Sequence, residues 1–256
     1  ALREEEAGLG DADRQALRRT LAMTFLNLAR YDEVTRLLES DPSRPETPAL
    51  EFTYALALVR SGRAAQAGPI FDRLLASGSA WPALHVLLGQ ARAQEGDFEA
   101  AEAALRHALT LDPQVAEAHS TLGDLMMRQG RLEEAESALR AELKAHPEDR
   151  DARYLLATVL DLHRKPRAAE AELRLLLDRS PRHGGARYLL GKVLLSGGDA
   201  ASALEQLEAA VAITPQDEGA HYQLGLAYQR SGRAEDASRH FARFRELKAA
   251  GREPAP

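Results

Sequence analysis

The side chains able to do chemistry are eight histidines and a surplus of carboxylates, in a chain of 256 residues without a cysteine. Lacking thiols, the chain has no disulfide, no thiolate metal site and no cysteine nucleophile. Two histidines can ligate one metal from a single helix face when spaced as in H-E-x-x-H, and none is spaced so. His85, His119 and His221 are separated by 34 residues or a multiple of it, which marks them as packing residues between helices. His107, His146, His163, His183 and His240 are expected on solvated second helices and turns. Gly184-Gly185 and Gly197-Gly198 are not followed by the Lys-Ser/Thr of a phosphate-binding loop, and no G-x-S-x-G elbow presents a serine. Acidic pairs such as Glu133-Glu134 fit a solvated helix face. The residues predict no enzyme, no cofactor and no bound metal.

The elements behind these residues are helices. Ala, Leu, Glu and Arg dominate and are strong helix formers, while aromatics make up only 5% of the chain. That mixture predicts many short helices packed through small side chains. The formal charge of −6 and a pI near 5.8 exclude non-specific nucleic-acid binding, which needs a basic surface. No apolar run approaches the roughly 18 residues of a membrane span. Ala1 and the acidic Glu4-Glu5-Glu6 do not form a signal peptide, and the chain lacks an initiator methionine, as a processed or truncated form would. The expectation is a soluble protein, with the compartment open between cytoplasm and bacterial periplasm. The Arg- and Ala-rich composition points to a GC-rich bacterial genome.

Self-similarity organises the whole sequence. Pro113, Pro147, Pro181 and Pro215 are each 34 residues apart. In the same register recur Leu88-Gly89, Leu122-Gly123, Leu156-Ala157, Leu190-Gly191 and Leu224-Gly225. Gly96, Gly130, Gly198 and Gly232 keep this period too, as do Ala101, Ala135, Ala169, Ala203 and Ala237. Four residues after those alanines stand Leu105, Leu139, Leu173, Leu207 and Phe241. Glycine in such a column supplies the left-handed backbone that ends a first helix, and proline stops the second.

A 34-residue unit with Leu-Gly, Ala-x3-Leu/Phe and a closing Pro resembles the tetratricopeptide repeat. The resemblance implies an all-α solenoid of helical hairpins coiled into a right-handed superhelix, with the first helices lining its concave side. The units would be 48–81, 82–115, 116–149, 150–183, 184–217 and 218–251, after an N-terminal segment 1–47 holding a degenerate hairpin and before a frayed tail, 252–256. In the first of these, Ser79 replaces the proline. Unit 150–183 departs from the pattern with Ala157 for glycine, Arg164 at the turn and Pro166 after it, and reads as a variant turn. Arg245 takes the place held by Leu75, Leu109, Leu143, Leu177 and Val211, as suits the solvated face of a terminal unit.

In this family the inner surface comes from defined positions of each first helix. Carried over, the fifth position gives Val86, Ser120, Tyr154, Tyr188 and Tyr222, and the ninth gives Gln90, Asp124, Thr158, Lys192 and Leu226. The twelfth gives Ala93, Met127, Asp161, Leu195 and Gln229, and the thirteenth contributes Arg128 and Arg230. The resemblance thus implies a partner-binding groove of Tyr154, Tyr188, Tyr222, Lys192, Leu195, Leu226, Arg230, Met127 and Arg128. Tyrosine offers rigid apolar area with a polar tip, and the cations would favour a ligand with acidic residues. The family's clamp for a C-terminal carboxylate is missing, because its lysine position carries Val, Ser or Tyr and its first asparagine position Gln, Asp, Thr, Lys or Leu. The expected function is a scaffold or adaptor that holds a protein or peptide partner. The alternatives are a self-assembling structural protein and a non-catalytic accessory module of an enzyme complex.

Overall fold

The computed structural model describes residues 10–39, 47–78 and 81–250. Glu4, Glu5, Glu6, Ser79 and the tail 252–256 lie outside these residues. The described residues form fourteen α-helices and no strand. In order they are α1 (Asp11–Asn27), α2 (Tyr31–Glu39), α3 (Pro48–Arg60), α4 (Ala64–Ala76), α5 (Pro82–Glu95), α6 (Phe98–Leu111) and α7 (Ala118–Arg128). There follow α8 (Leu132–Ala145), α9 (Arg150–Leu162), α10 (Pro166–Arg179), α11 (Gly184–Ser196), α12 (Ala200–Ile213), α13 (Glu218–Arg230) and α14 (Ala234–Ala250). The chain divides into two compact units, Ala1–Leu125 and Met126–Pro256.

In the first unit, consecutive helices pack as hairpins, α1 with α2, α3 with α4 and α5 with α6. One buried cluster joins Leu58, Val59, Ile70, Phe71, Leu74, Leu84 and Leu87, and another joins Ala22, Val34, Leu37, Leu38 and Ala57. The Leu-Gly and Ala-x3-Leu columns meet inside the α5–α6 hairpin. A Cβ on Gly89 would lie 2.6 Å from Cγ of Leu105, closer than real side chains approach, so only glycine lets the helices touch there. Gly96 ends α5 with φ of 84°.

The second unit repeats the arrangement with α9 on α10, α11 on α12 and α13 on α14. A Cβ on Gly191 would lie 2.5 Å from Cγ of Leu207, and one on Gly225 2.6 Å from Cε1 of Phe241. In the α9–α10 hairpin Ala157 takes the glycine's place, and both it and Leu173 are fully buried. The turn that follows α9 keeps the left-handed step although the sequence puts arginine there, with Arg164 at φ 61°. Side chains beside it compensate. Lys165 donates to Glu136 at 2.8 Å, and His163 approaches Glu136 at 3.3 Å and Glu133 at 3.0 Å, so the turn is fastened to α8. Pro166 opens α10 where its missing N–H has no helical partner to lose.

Candidate partner-binding face

The second unit positions its first helices by their N-caps. Asp149 accepts from the backbone N–H groups of Asp151 and Ala152, and Asp217 accepts from Ala220. Between them His183 does the same work through Nδ1, which accepts from the Ala186 N–H at 3.0 Å. This capping column of Asp149, His183 and Asp217 has the 34-residue period and is legible in the sequence. The caps satisfy N–H groups that would otherwise be orphaned, a gain of roughly 1 kcal/mol each. His183 is therefore a structural residue, and its ring also lies 5.1 Å from that of Tyr154.

One turn into each helix stand the tyrosines. Tyr154 on α9 and Tyr188 on α11 are half-buried, and Tyr222 on α13 is 40% exposed. Burial raises the pKa of the Tyr154 phenol, assisted by Tyr188 and Asp217 and opposed by Lys192. Burial also raises that of Tyr188, with Lys192 opposing and Asp217 and Asp161 assisting. Both remain neutral donors at physiological pH. Tyr222 packs against Phe241 and Phe244, at ring separations of 6.0 and 5.2 Å. No described residue forms a hydrogen bond with any of the three hydroxyls, and none of them is a buried atom left unsatisfied. Solvent reaches them, so each can meet a ligand.

The remaining predicted residues separate into two groups. Lys192 and Leu226 are half-buried near the tyrosine positions of their helices, and Arg230 is exposed at the end of α13. Met127 is half-buried and Arg128 exposed at the end of α7. Leu195 is the exception: it is 2% exposed and belongs to the core, so its side chain offers a partner no surface. Its carbonyl oxygen accepts from the Arg230 guanidinium. The expected basic character is reduced at one of its three positions. Lys192 pairs with Asp161 at 2.8 Å, and that carboxylate offsets its charge. Asp161 was placed at an inner position from the sequence but not recognised as the partner of Lys192, which is 31 residues on.

Among the described residues no group of three or more His, Asp or Glu side chains is arranged to hold a metal ion. No described helix is long and apolar enough to cross a membrane.

Comparison with known proteins agrees with this architecture. Tetratricopeptide repeat profiles match residues 52–116 and 92–159, and a further TPR repeat profile matches residues 191–232. No curated protein matches the sequence. Among solved structures, a crystal structure of MamA is 26% identical with a TM-score of 0.59, covering 64% of this chain and 96% of its own. YrrB, described as a TPR protein with an unusual peptide-binding site, is 23% identical with a TM-score of 0.60, covering 70% of this chain and 92% of its own. PilF of Pseudomonas aeruginosa is 16% identical with a TM-score of 0.70, covering 79% and 97% respectively. The last two show likeness of fold.

Proposed function

The chain belongs to the tetratricopeptide repeat family, and from that premise we propose that it is a protein-interaction scaffold whose contact face is centred on Tyr154, Tyr188 and Tyr222. The observation that carries this reading is the state of the three phenols. Each stands on a successive first helix with its hydroxyl free of any described partner. A backbone carbonyl or N–H of an incoming peptide can meet such hydroxyls while its side chains cover the rings. Leu226, Met127, Arg128, Lys192 and Arg230 extend the face, in this reading, and Leu195 supports it from below. The Lys192–Asp161 pair balances its own charge, while Arg230 donates to a backbone carbonyl and keeps its charge, so the occupant in this reading is a peptide or helix of mixed character with an acidic residue near Arg230. The six units from 48 to 251 provide the frame. A peptide-binding site is described for the fold neighbour YrrB; the occupant proposed here is argued from the tyrosines.

The test is affinity capture with the full chain beside two variants. One replaces the three tyrosines with phenylalanine, keeping the rings and removing the hydroxyls; the other replaces them with alanine. With circular dichroism showing an unchanged fold, partner recovery should fall at least several-fold with the phenylalanine variant and disappear with the alanine variant. Full recovery by a folded alanine variant would overturn the assignment. Sedimentation at several concentrations distinguishes self-assembly, which would give a rising mass without any partner.

A further inference from the structure

In the second unit, the fourth residue of each first helix ties that helix to two places. Arg153 donates to the carbonyl of Pro147 at 2.7 Å and pairs with Glu172 on α10 at 2.7 Å. Arg187 donates to the carbonyl of Pro181 at 2.7 Å and to Gln206 on α12 at 2.8 Å. His221 occupies the same place in α13. Its Nε2 lies 3.2 Å from the carbonyl of Pro215, and its Nδ1 lies 3.0 Å from Nδ1 of His240 on α14. Two permanently charged ties are thus followed by one made of two imidazoles. The expectation of a solvated His240 is corrected here, because the hairpin turns it onto His221 and both rings are at least half-buried.

The hydrogen bonds fix where the protons are. A carbonyl can only accept, so Nε2 of His221 carries the proton and its Nδ1 is an acceptor. The bond between the rings therefore requires Nδ1–H on His240, leaving its Nε2 bare. The ring centroids are 5.2 Å apart, a separation that fits rings meeting through their nitrogens rather than face to face. A third proton can enter at Nε2 of His240 with every contact kept. A fourth has only Nδ1 of His221 to occupy, and two N–H groups would then point at each other across 3.0 Å.

We infer that the His221–His240 pair is an acid-sensitive latch, which holds α14 on α13 while the two imidazoles share up to three protons and releases it when the fourth enters. The groups facing it set when this happens. From α12, Glu208 accepts the Tyr228 hydroxyl at 2.6 Å, and from α13 the Tyr228 ring lies 5.4 Å from His240. From α14 come Asp236 and Arg239, and from the preceding turn Arg233 lies over the Tyr228 ring at 4.4 Å. Burial, His221 and Arg239 hold His240 below the usual histidine value, while Asp236 and Glu208 oppose that shift. Even the third proton is therefore taken up in mildly acidic rather than neutral solution. The neighbouring ties through Arg153 and Arg187 carry no such limit.

Imidazole NMR and amide hydrogen exchange on the full chain test this directly. Above neutral pH, His221 should be the Nε2–H tautomer and His240 the Nδ1–H tautomer. On acidification His240 should titrate first with the contact retained. As the fourth proton enters on further acidification, exchange of the α14 amides should accelerate at least tenfold beyond the intrinsic pH effect. Copying the preceding unit's tie with His221→Arg and His240→Gln should abolish this acceleration. His240→Asn should do likewise, because its amide can turn to offer oxygen to a protonated His221. An Nδ1–H tautomer on His221 would overturn the latch, and so would equal acid opening in the wild type and whichever variant folds.

Discussion

Tyr154 lays its phenol over Gly185, so that a Cβ there would lie 3.2 Å from the hydroxyl oxygen and 3.4 Å from the ring carbon that bears it. Tyr188 stands in the same way over Gly219, at 3.3 and 3.5 Å. Tyr154 and Tyr188 therefore each lean on the next first helix, whereas Tyr222 packs on Phe241 and Phe244 of α14 and is the most exposed of the three. Gly185→Ala should press the phenol outward. Because the crowded atoms are the far end of a movable ring and alanine suits a helix better than glycine by about 0.5–1 kcal/mol, stability should stay within about 1 kcal/mol of wild type. Partner affinity should change instead, as a comparison of thermal melting with binding would reveal. A large loss of stability would mean that the tyrosine cannot yield.

Gly191 tolerates no such change. Its Cβ would lie 2.5 Å from Cγ of Leu207 and 3.3 Å from the carbonyl oxygen of Ala203, which is backbone. Gly191→Ala should destabilise the protein by about 1–3 kcal/mol through overpacking. Adding Leu207→Ala opens the space, so the double variant should lose less than the sum of the two single losses. Denaturant titration of all four proteins measures this coupling, and simple additivity would contradict the contact.

Arg164 holds a left-handed backbone at φ 61°, where Gly130 and Gly198 serve in the turns before and after. A residue with a Cβ pays roughly 1–2 kcal/mol there. The exposed Arg164 side chain forms no hydrogen bond or ion pair that would be lost, since Lys165 and His163 provide the fastening to α8. Arg164→Gly should therefore stabilise the protein by about 0.5–1 kcal/mol after the extra entropy of glycine in the unfolded chain is counted. Thermal unfolding checks the sign.

The repeat was legible in the sequence because its columns report contacts every unit must make, as between Gly89 and Leu105 or Gly225 and Phe241. The face of Leu195 was not legible. In α11 Leu189, Leu190, Val193, Leu194 and Leu195 are all buried, so the helix is apolar nearly all round and periodicity could not rank its faces. Nor was the pairing of His221 with His240, since histidine suits both solvent and core. The same 19-residue spacing links Arg153 to Glu172 and Arg187 to Gln206, and that column was the unused clue. The Lys192–Asp161 pair joins two different hairpins, and a spacing of 31 residues carries no local signal.

Glu136 fastens the variant turn from α8 and should make that turn sensitive to acid. Its hydrogen bond with Lys165 is the largest influence, and bonds from Arg140 and His163 add to it; together they outweigh partial burial and hold the carboxyl below the usual glutamate range. A carboxylate with a lowered folded pKa contributes stability that is complete above its unfolded value, about 4.3, and is lost as the pH falls through the folded one. Stability should thus decline from about pH 5 downward, and this part of the decline should be missing in Glu136→Gln. Removing the carboxylate should also cost on the order of 1 kcal/mol at neutral pH, since Lys165 is largely exposed and solvent screens its share. Urea titrations of both proteins between neutral and acid pH measure the difference. Parallel pH profiles would mean that Glu136 is held no more tightly in the folded chain than in the unfolded one.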